Sequence, residues 1–420
     1  MKLKHVKAAS WQMDMMLKMR PGDLAGNAAL LLKIVKQFAA EGEKDIVVPE
    51  NFLRGGDCGS LEQHAAFQAA EEKALAKLIK DVQKIKKAPR IHFEGAIEAA
   101  LIPQGPDPRF PFGGNPEPVF SRQVSGLMRR LLAIGCKDAV IGLSGGLDSA
   151  LALLVTVGAF MLLGYDLAGI HVFTMPGFGT TKRTKGNADR LCEGLGLKLT
   201  TIDITPACRR HFKDIGHDET QHDVTFENTQ ARMRTMILMD KANQCNGIVV
   251  GTGDMSEIAL GWCTYNGDHM SMFGVNAGVP KTTVREVCAW WAEQFGGLAG
   301  EALLDIIATP VSPELLPATK DGRIAQKTED KVGPYELHEF FLWQFVSEQK
   351  GKAEILAAAK KTFKGVYTAP VIKKWLEVFF RRFFTQSFKR NCAPDGIQIF
   401  PVYLSPAAWH IPSDASCSWL

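Results

Sequence analysis

The run Ser144-Gly145-Gly146-Leu147-Asp148-Ser149 is the densest concentration of chemical groups in the chain. It follows the apolar stretch Ala139 to Leu143 and opens the apolar stretch Ala150 to Gly164, so it sits where a strand turns into a helix. At such a turn, backbone N–H groups and the positive helix end face outward, and glycines let the main chain approach an anion closely. Pyrophosphate suits that cradle. The Ser144 and Ser149 hydroxyls can donate to phosphate oxygens, and Asp148 beside phosphates finds its use on a Mg²⁺ ion. A bare S-G-G would serve equally as a tight turn with an N-capping serine; the strand-to-helix position is what favours the anion. The spacing is not G-x-x-x-x-G-K-[ST], which disfavours a Walker-type kinase or ATPase.

Two further constellations come later. Phe226-Glu227-Asn228-Thr229-Gln230-Ala231-Arg232-Met233-Arg234 reads as a helix start, and helical spacing puts Asn228, Arg232 and, less closely, Arg234 on neighbouring faces. They can hold a polar, anionic ligand, though two arginines alone also fit a solvated helix face. Gly251-Thr252-Gly253-Asp254-Met255-Ser256-Glu257 follows the apolar Ile248 to Val250 and leads into Gly261, Thr264, Gly267 and Asp268. Polar groups just past a strand's carboxyl end stand where doubly wound sheets bind ligands, and Glu257 with Asp148 would offer one metal two carboxylates. By itself the segment also reads as a Gly-rich turn before a helix.

These residues need elements to position them. Ala139 to Leu143, Ile170 to Thr174, Leu199 to Ile204 and Ile248 to Gly251 read as strands separated by helical stretches, the alternation of a doubly wound parallel α/β sheet. Thr282 to about Gln386 reads as mainly helical, with Trp290, Trp291, Phe340, Phe341 and Trp343 supplying core. Earlier, Val6 to Gln12 reads as a short strand, Gly26 to Glu41 as a helix, Asp45 to Val48 as a buried strand and Glu62 to Ile85 as a helix. Between these halves, residues 101–118 carry Pro103, Pro106, Pro108, Pro111, Pro116 and Pro118 with Gly105, Gly113 and Gly114, a density that excludes helix and central strand and marks a boundary.

Composition narrows the class. Hydrophobic residues at 46% and charged residues at 22% describe an ordinary globular chain, and a net charge of +4 argues for neither nucleic acid nor membrane as a partner. No pair among the nine cysteines has C-x-x-C spacing, so zinc ribbons and thioredoxin-like sites lose support and reduced cytoplasmic thiols are expected. The most apolar stretch, Ala150 to Gly164, is too short to span a bilayer.

The first motif resembles the PP-loop of ATP pyrophosphatases, S-G-G-x-D-S, which cleave ATP between the α and β phosphates. All three constellations in this order, with Met175-Pro176, Pro280-Lys281-Thr282, Ser312-Pro313-Glu314-Leu315, Gln326-Lys327-Thr328-Glu329-Asp330 and Phe388-Lys389-Arg390, resemble the NAD synthetase family from about Ala139 to Asp414. That resemblance implies an α/β fold with a doubly wound parallel sheet of PP-loop (adenine nucleotide alpha hydrolase-like) type. It implies a ligase that adenylates deamido-NAD with ATP and then amidates it. Residue by residue, it puts Ser144, Gly145, Gly146, Asp148 and Ser149 on the ATP pyrophosphate, Asp148 and Glu257 on Mg²⁺, and Thr252 on the nucleotide. Lys281 matches a phosphate-binding lysine, Asn228, Arg232 and Asp268 match positions that hold deamido-NAD, and Lys389 belongs to a basic motif that closes over the site. Asp268 is also an acceptor for the extra proton of ammonia. Homo-oligomers are implied by the same resemblance. In place of the family's more basic stretch near the C-terminus stands Ala407-Ala408-Trp409-His410.

Residues 5 to about 100 resemble the start of a nitrilase-type glutaminase domain through Gln12, Gly22 to Asn27, Val47-Val48-Pro49-Glu50 and Cys58-Gly59. Glu50 fits the general base of that family's Glu-Lys-Cys triad, but the lysine and nucleophilic cysteine, which lie well downstream, have no counterpart before the Pro-rich stretch. Cys58 reads as a loop position, not a nucleophile. The expectation is a partial nitrilase-like α/β segment at 1–100, a linker at 101–118 and an NAD synthetase domain at 119–420 that uses ammonia instead of glutamine. Half of a two-layer sandwich should leave an apolar sheet face or edge open. Two competing readings remain: another PP-loop amidase or thiolase, such as a GMP synthetase or tRNA-modifying enzyme, and a catalytically silent binding protein derived from a synthetase.

Overall fold

The computed structural model describes residues 18–56, 58–93, 104–180, 182–309 and 331–392 and, toward the C-terminus, 398–399, 402, 404, 410–412 and 415–419. The expected strand at Val6 to Gln12, the matches at Ser312 to Leu315 and Gln326 to Asp330, and Ala407 to Trp409 and Asp414 lie outside the described residues. The chain divides into two units, one of residues 1–102, 129–135 and 393–420, the other of 103–128 and 136–392. The division is therefore not a single cut in the sequence: the C-terminal residues group with the first unit.

In the first unit, α1 (Leu24–Glu41) is capped by Asp23, whose side chain accepts from the Gly26 amide, and ends on Gly42 in the left-handed region. Strands β1 (Asp45–Val48) and β2 (Arg90–Phe93) pair in parallel, and α2 (Ala65–Gln83) packs with α1. Helix α2 starts three residues later than its periodicity suggests, because Gly59–Gln63 forms a 3₁₀ turn in which Glu62 reaches back to the Cys58 amide at 3.0 Å. Ile46 and Val48 are buried on one face, where the partner strand adds Ile91 and a half-exposed Phe93, while the other face sets Val47 among Asp45, Arg90 and His92, which are joined by ion pairs, so the open apolar face expected of a partial sandwich is here largely charged. The C-terminal residues belong to the same core: the Ser416 amide donates to Pro21 O, and Trp419 packs edge-on against Phe67.

The second unit is built on a five-stranded parallel sheet in the order β5-β4-β3-β6-β7, where β3 is Ala139–Gly142, β4 Ile170–Thr174, β5 Leu199–Thr201, β6 Ile248–Gly251 and β7 Phe273–Gly274. Its helices before β7 are α3 (Pro116–Ile134, of which residues 116–128 belong to this unit), α4 (Leu147–Leu163), α5 (Lys182–Gly194), α6 (Thr205–Ile215), α7 (Val224–Cys245) and α8 (Met255–Leu260). After β7 come α9 (Lys281–Phe295), α10 (Gly297–Ile307), α11 (Tyr335–Leu342), α12 (Lys352–Thr362) and α13 (Ala369–Thr385). The chain runs outward from β3 through β4 to β5 and returns to β6 on the other side of β3, so the switch point lies between β3 and β6. Both Gly-rich constellations leave the sheet there.

Helix α4 is buried almost all round, from Leu147 through Phe160, which is why its sequence is apolar without an amphipathic stripe. At about 1.5–3 kcal/mol for each large apolar side chain taken from water, it is the main anchor of the turn that precedes it. A separate aromatic core, including Leu337, Phe340, Phe341, Phe363 and Phe379, assembles α11 to α13.

Four expectations need correction. Pro116 and Pro118 lie in the first turn of α3, where a missing N–H costs nothing, so the boundary stretch does not exclude helix at its end. Strand β5 ends at Thr201, not Ile204: Asp203 takes the Thr205 amide and turns the chain into α6. Trp290, Trp291 and Trp343 are half-buried, each leaving part of its large ring at the surface, while Phe340 and Phe341 are core. The short β7 was not anticipated, since two residues carry no periodicity.

Candidate active site

The Ser144–Ser149 turn is built by its own hydroxyls. Ser149 Oγ accepts from the Ser144 amide at 3.2 Å, donates to Gly146 O at 3.0 Å and lies 3.0 Å from Ser144 Oγ, which accepts from the Gly146 amide at 3.1 Å. Gly145 has φ +82°, and a Cβ there would stand 2.0 Å from Thr184 O, so both conformation and space demand glycine. The N-cap of α4 is Gly146 in extended conformation with no side-chain cap, which leaves the helix amides and their partial positive charge to an external acceptor.

Across the switch point, Asp254 caps α8. Its side chain accepts from the Glu257 amide at 2.8 Å, and Glu257 Oε2 accepts from the Asp254 amide at 3.3 Å, a capping box in a helix of only six residues. The other Glu257 oxygen, Oε1, lies 3.0 Å from Lys281 Nζ, which also stands 2.6 Å from Asp148 Oδ2 and 3.0 Å from Asp254 Oδ2. Lys281, the first residue of α9, is 3% exposed, and Tyr335 packs its ring 5.5 Å from the ammonium. One buried cation thus holds three carboxylates from two strand ends.

The electrostatics follow from that count. Burial pushes Glu257 up to about 7 against the pull of Lys281, with Asp148 adding to the rise. Burial likewise raises Asp254 well above the usual carboxylate range. Burial opposes the Lys281 charge, but Asp148, Asp254 and Glu257 together hold its pKa well above that of a free lysine. The site remains electronegative, and Asp148 Oδ1 is buried without a hydrogen-bond partner. Carboxylate oxygens of Asp148, Asp254 and Glu257 lie within 4.8 Å of one another, so this hard-oxygen donor set fits a divalent cation such as Mg²⁺.

The third constellation gathers on the loop after α8. Thr264 Oγ1 donates to Asn228 Oδ1 at 2.7 Å, the Thr264 amide donates to Asp268 Oδ1 at 2.8 Å, and Arg232 Nε donates to Tyr265 O at 3.3 Å. Burial raises the Asp268 carboxyl. Arg234 turns elsewhere and donates to Met175 O at 3.0 Å, past the end of β4, so helical spacing overstated its kinship with Arg232. Lys389 is committed to the carbonyls of Gly261 and Cys263 at 3.1 and 2.7 Å, within a 3₁₀ turn, Ser387–Arg390. With Arg382 on Leu260 O and Arg390 on Ala259 O, it satisfies the carbonyl end of α8 instead of presenting its charge to an open face.

Several site residues carried no sequence signal. Asn276, fully buried, donates to Asp148 O at 2.9 Å and to Thr252 O at 3.0 Å, tying the two Gly-rich loops together, while Gln123 donates to its Oδ1. Glu339 accepts from Ser256 Oγ at 2.7 Å and from the Thr282 amide and hydroxyl, and burial pushes it up to about 7. Asp254 lay inside a quoted motif, but only the strand-end geometry separates it from an ordinary helix cap. In the first unit, Cys58 is buried and its thiol donates to Arg54 O at 3.3 Å, a loop-forming contact, while Glu50 is exposed.

The family model for NAD synthase matches residues 119–373. The glutamine-dependent NAD(+) synthetases of Mycobacterium tuberculosis and Mycobacterium leprae are each 40% identical over 328 residues, 72% of this chain and 48% of theirs. That of Xanthomonas campestris is 33% identical over 245 residues, 57% of this chain and 42% of its own. The chain spans about half the length of the curated relatives it matches. Among solved structures, NMN synthetase from Francisella tularensis matches with a TM-score of 0.52 at 23% identity, covering 68% of this chain and 99% of that one. A glutamine-dependent NAD(+) synthetase from Cytophaga hutchinsonii matches with a TM-score of 0.52 at 18% identity, covering 72% and 54%. At those identities the likeness speaks for the fold.

Proposed function

The chain belongs to the NAD synthase family, and from that premise we propose that it amidates deamido-NAD to NAD at the expense of ATP, with ammonia as nitrogen donor. The observation that carries this reading is the uncapped α4 amino terminus standing beside a three-carboxylate, one-lysine cluster at the switch point of the sheet.

In the proposed reaction, the Ser144–Ser149 turn holds the β and γ phosphates through its amides and hydroxyls. When bound, Mg²⁺ would be held by Asp148 and Glu257, with Asp254 behind them, and would supply positive charge to the phosphates. The nicotinate carboxylate of deamido-NAD attacks the α-phosphorus and pyrophosphate leaves, giving an acyl-adenylate. Positive charge from Lys281 and the helix amides lowers the cost of the departing pyrophosphate. Asn228, Thr264 and Arg232, linked through one loop, orient the nicotinate half, and much of the rate comes from that positioning. Ammonia adds to the acyl carbon as the neutral base, AMP departs, and Asp268, whose carboxyl burial has made more basic, takes the extra proton. Asn276 fixes the distance between the two loops throughout.

Ammonia is proposed over glutamine because Cys58, the cysteine in the stretch that resembles a glutaminase, is buried in loop hydrogen bonds and not placed as a nucleophile. The same reading takes the chain to be a homo-oligomer, as the family resemblance implies, and cytoplasmic, as its cysteine usage suggests. Among the described residues, no helix is long and apolar enough to cross a membrane. The test supplies ATP, Mg²⁺ and deamido-NAD with either ammonium or glutamine. NAD should form with ammonium and not with glutamine; equal turnover with glutamine alone defeats the ammonia assignment.

A further inference from the structure

We propose that Asp138, His171 and Cys245 form a binding site for a soft divalent cation, zinc above all, at the opposite edge of the sheet from the nucleotide turn. The residues converge from three chain segments. Asp138 immediately precedes β3, His171 is the second residue of β4, and Cys245 ends α7 just before Asn246 turns the chain, with φ +52°, into β6. These are three adjacent strands of the sheet, β4, β3 and β6, met at their amino-terminal ends.

The geometry is close to that of a coordination shell. His171 Nε2 lies 2.8 Å from Asp138 Oδ1, and one donor atom from each of the three residues falls within 4.8 Å of the others. Zinc bonds of about 2.0–2.3 Å in tetrahedral geometry would set those donors about 3.3–3.5 Å apart, so the His171–Asp138 pair opens by about 0.5 Å and the widest pair closes by at most about 1.3 Å. Gly247 keeps the space clear: a Cβ there would stand 2.9 Å from Cys245 Sγ and 3.0 Å from Asp138 Cβ. The side chains of His171 and Asp138 are 33% and 34% exposed, so an ion can reach them from solvent.

The donor set selects the ion. A thiolate, an imidazole and a carboxylate match zinc, whereas Mg²⁺ prefers oxygen alone and is served by the carboxylate cluster at the other end of the strands. On binding, Cys245 gives up its thiol proton to solvent. His171 coordinates through Nε2, which now faces Asp138, and keeps its proton on Nδ1. Solvent fills the fourth position. Such an ion would staple the starts of β4, β3 and β6 behind the switch point, stabilising the frame that aligns the two Gly-rich loops. A second thiol, Cys136, is nearby but donates to Asp138 O at 3.2 Å and Asn246 O at 3.5 Å, and serves here as the control.

The test uses the full chain, freed of metal by a chelator and titrated with Co²⁺ alone, without nucleotide. A thiolate-to-cobalt charge-transfer absorption should grow to one equivalent and be displaced by Zn²⁺. Cys245→Ser should abolish the band, and His171→Ala should weaken Zn²⁺ binding by about tenfold or more. Cys136→Ser and Asp148→Asn should leave the band intact, the latter separating this site from the carboxylate cluster. Absence of the band at one equivalent, its persistence in Cys245→Ser, or its loss in Cys136→Ser overturns the proposal. Far-ultraviolet circular dichroism of each metal-free variant checks folding, and His171→Ala stands in should Cys245→Ser fail to fold.

Discussion

Replacing Lys281 with methionine keeps the length of the side chain and removes its charge, leaving Asp148, Asp254 and Glu257 facing one another around an apolar tip. In the native cluster the ammonium stands 2.6 Å from Asp148 and 3.0 Å from each of the other two, at 4% side-chain exposure. Removing one partner from a buried charged cluster costs about 3–5 kcal/mol, because the charges left behind have lost both water and compensation. Glu257, already pushed up to about 7, can take up a proton and relieve part of this, so the net loss should fall near the lower figure of about 3 kcal/mol. That is a large share of the about 5–15 kcal/mol typical of a folded domain. A divalent cation should repair the damage: at about 100 times its Kd, Mg²⁺ returns about 2.7 kcal/mol to the variant. The wild type should gain less, since its own ammonium already compensates the carboxylates. Urea denaturation of both proteins, with and without Mg²⁺, reads these quantities. A methionine variant as stable as wild type in metal-free buffer, or an equal Mg²⁺ gain in both, refutes the argument that Lys281 is the counter-charge of a cation site.

Further outcomes follow from neighbouring contacts. Gly145→Ala should lose about 2–4 kcal/mol, combining left-handed strain with displacement of Thr184 O, and should lose ATP-dependent pyrophosphate release at temperatures where it stays folded; full activity would mean that the turn is softer than its hydrogen bonds indicate. Asn276→Ala removes two donated hydrogen bonds and one accepted in a fully buried position, worth about 2–4 kcal/mol by thermal denaturation, and should raise the KM for ATP as the loops lose register. His338, fully buried with its Nε2 on Val332 O, has its pKa pushed by burial from 6.5 to about 4. The unfolded chain therefore binds the extra proton first: the stabilising contribution is intact above pH 6.5 and is lost as pH falls toward and below about 4, about 3 kcal/mol in all. His338→Gln should flatten that acid limb in a stability-versus-pH series, and an unchanged limb would assign the acid sensitivity to other groups.

The sheet was legible because parallel strands buried on both faces are written as short apolar runs. Ile170–Thr174 and Ile248–Gly251 were readable to the residue, and the helix after Ser149 announced itself by an unbroken apolar run. Both Gly-rich loops were legible because glycines, hydroxyls and carboxylates crowd together at a strand-to-helix corner. What escaped were residues whose meaning depends on long-range neighbours. Asn276 and Glu339 look like polar residues in ordinary segments until folding brings Asn276 onto the Asp148 and Thr252 carbonyls and Glu339 onto Ser256 and Thr282. Lys281 was singled out, but not that three carboxylates would enclose it, nor that Lys389 would be taken up by the carbonyls after α8. Half-buried tryptophans misled for a related reason: their size predicts contact, not full burial.

The most direct measurement follows the phosphates. The full chain, given α-labelled ATP, Mg²⁺, ammonium and deamido-NAD, should yield AMP and pyrophosphate in equal amounts, with NAD formed in step and no ADP. Omitting deamido-NAD should stop ATP cleavage, and Asp148→Asn should reduce it by about a hundredfold or more, the scale of losing a group that stabilises transition-state charge. Production of ADP and phosphate, cleavage indifferent to deamido-NAD, or an Asp148→Asn enzyme as fast as wild type would contradict the assignment of the Ser144–Ser149 turn and its carboxylates as an adenylating centre.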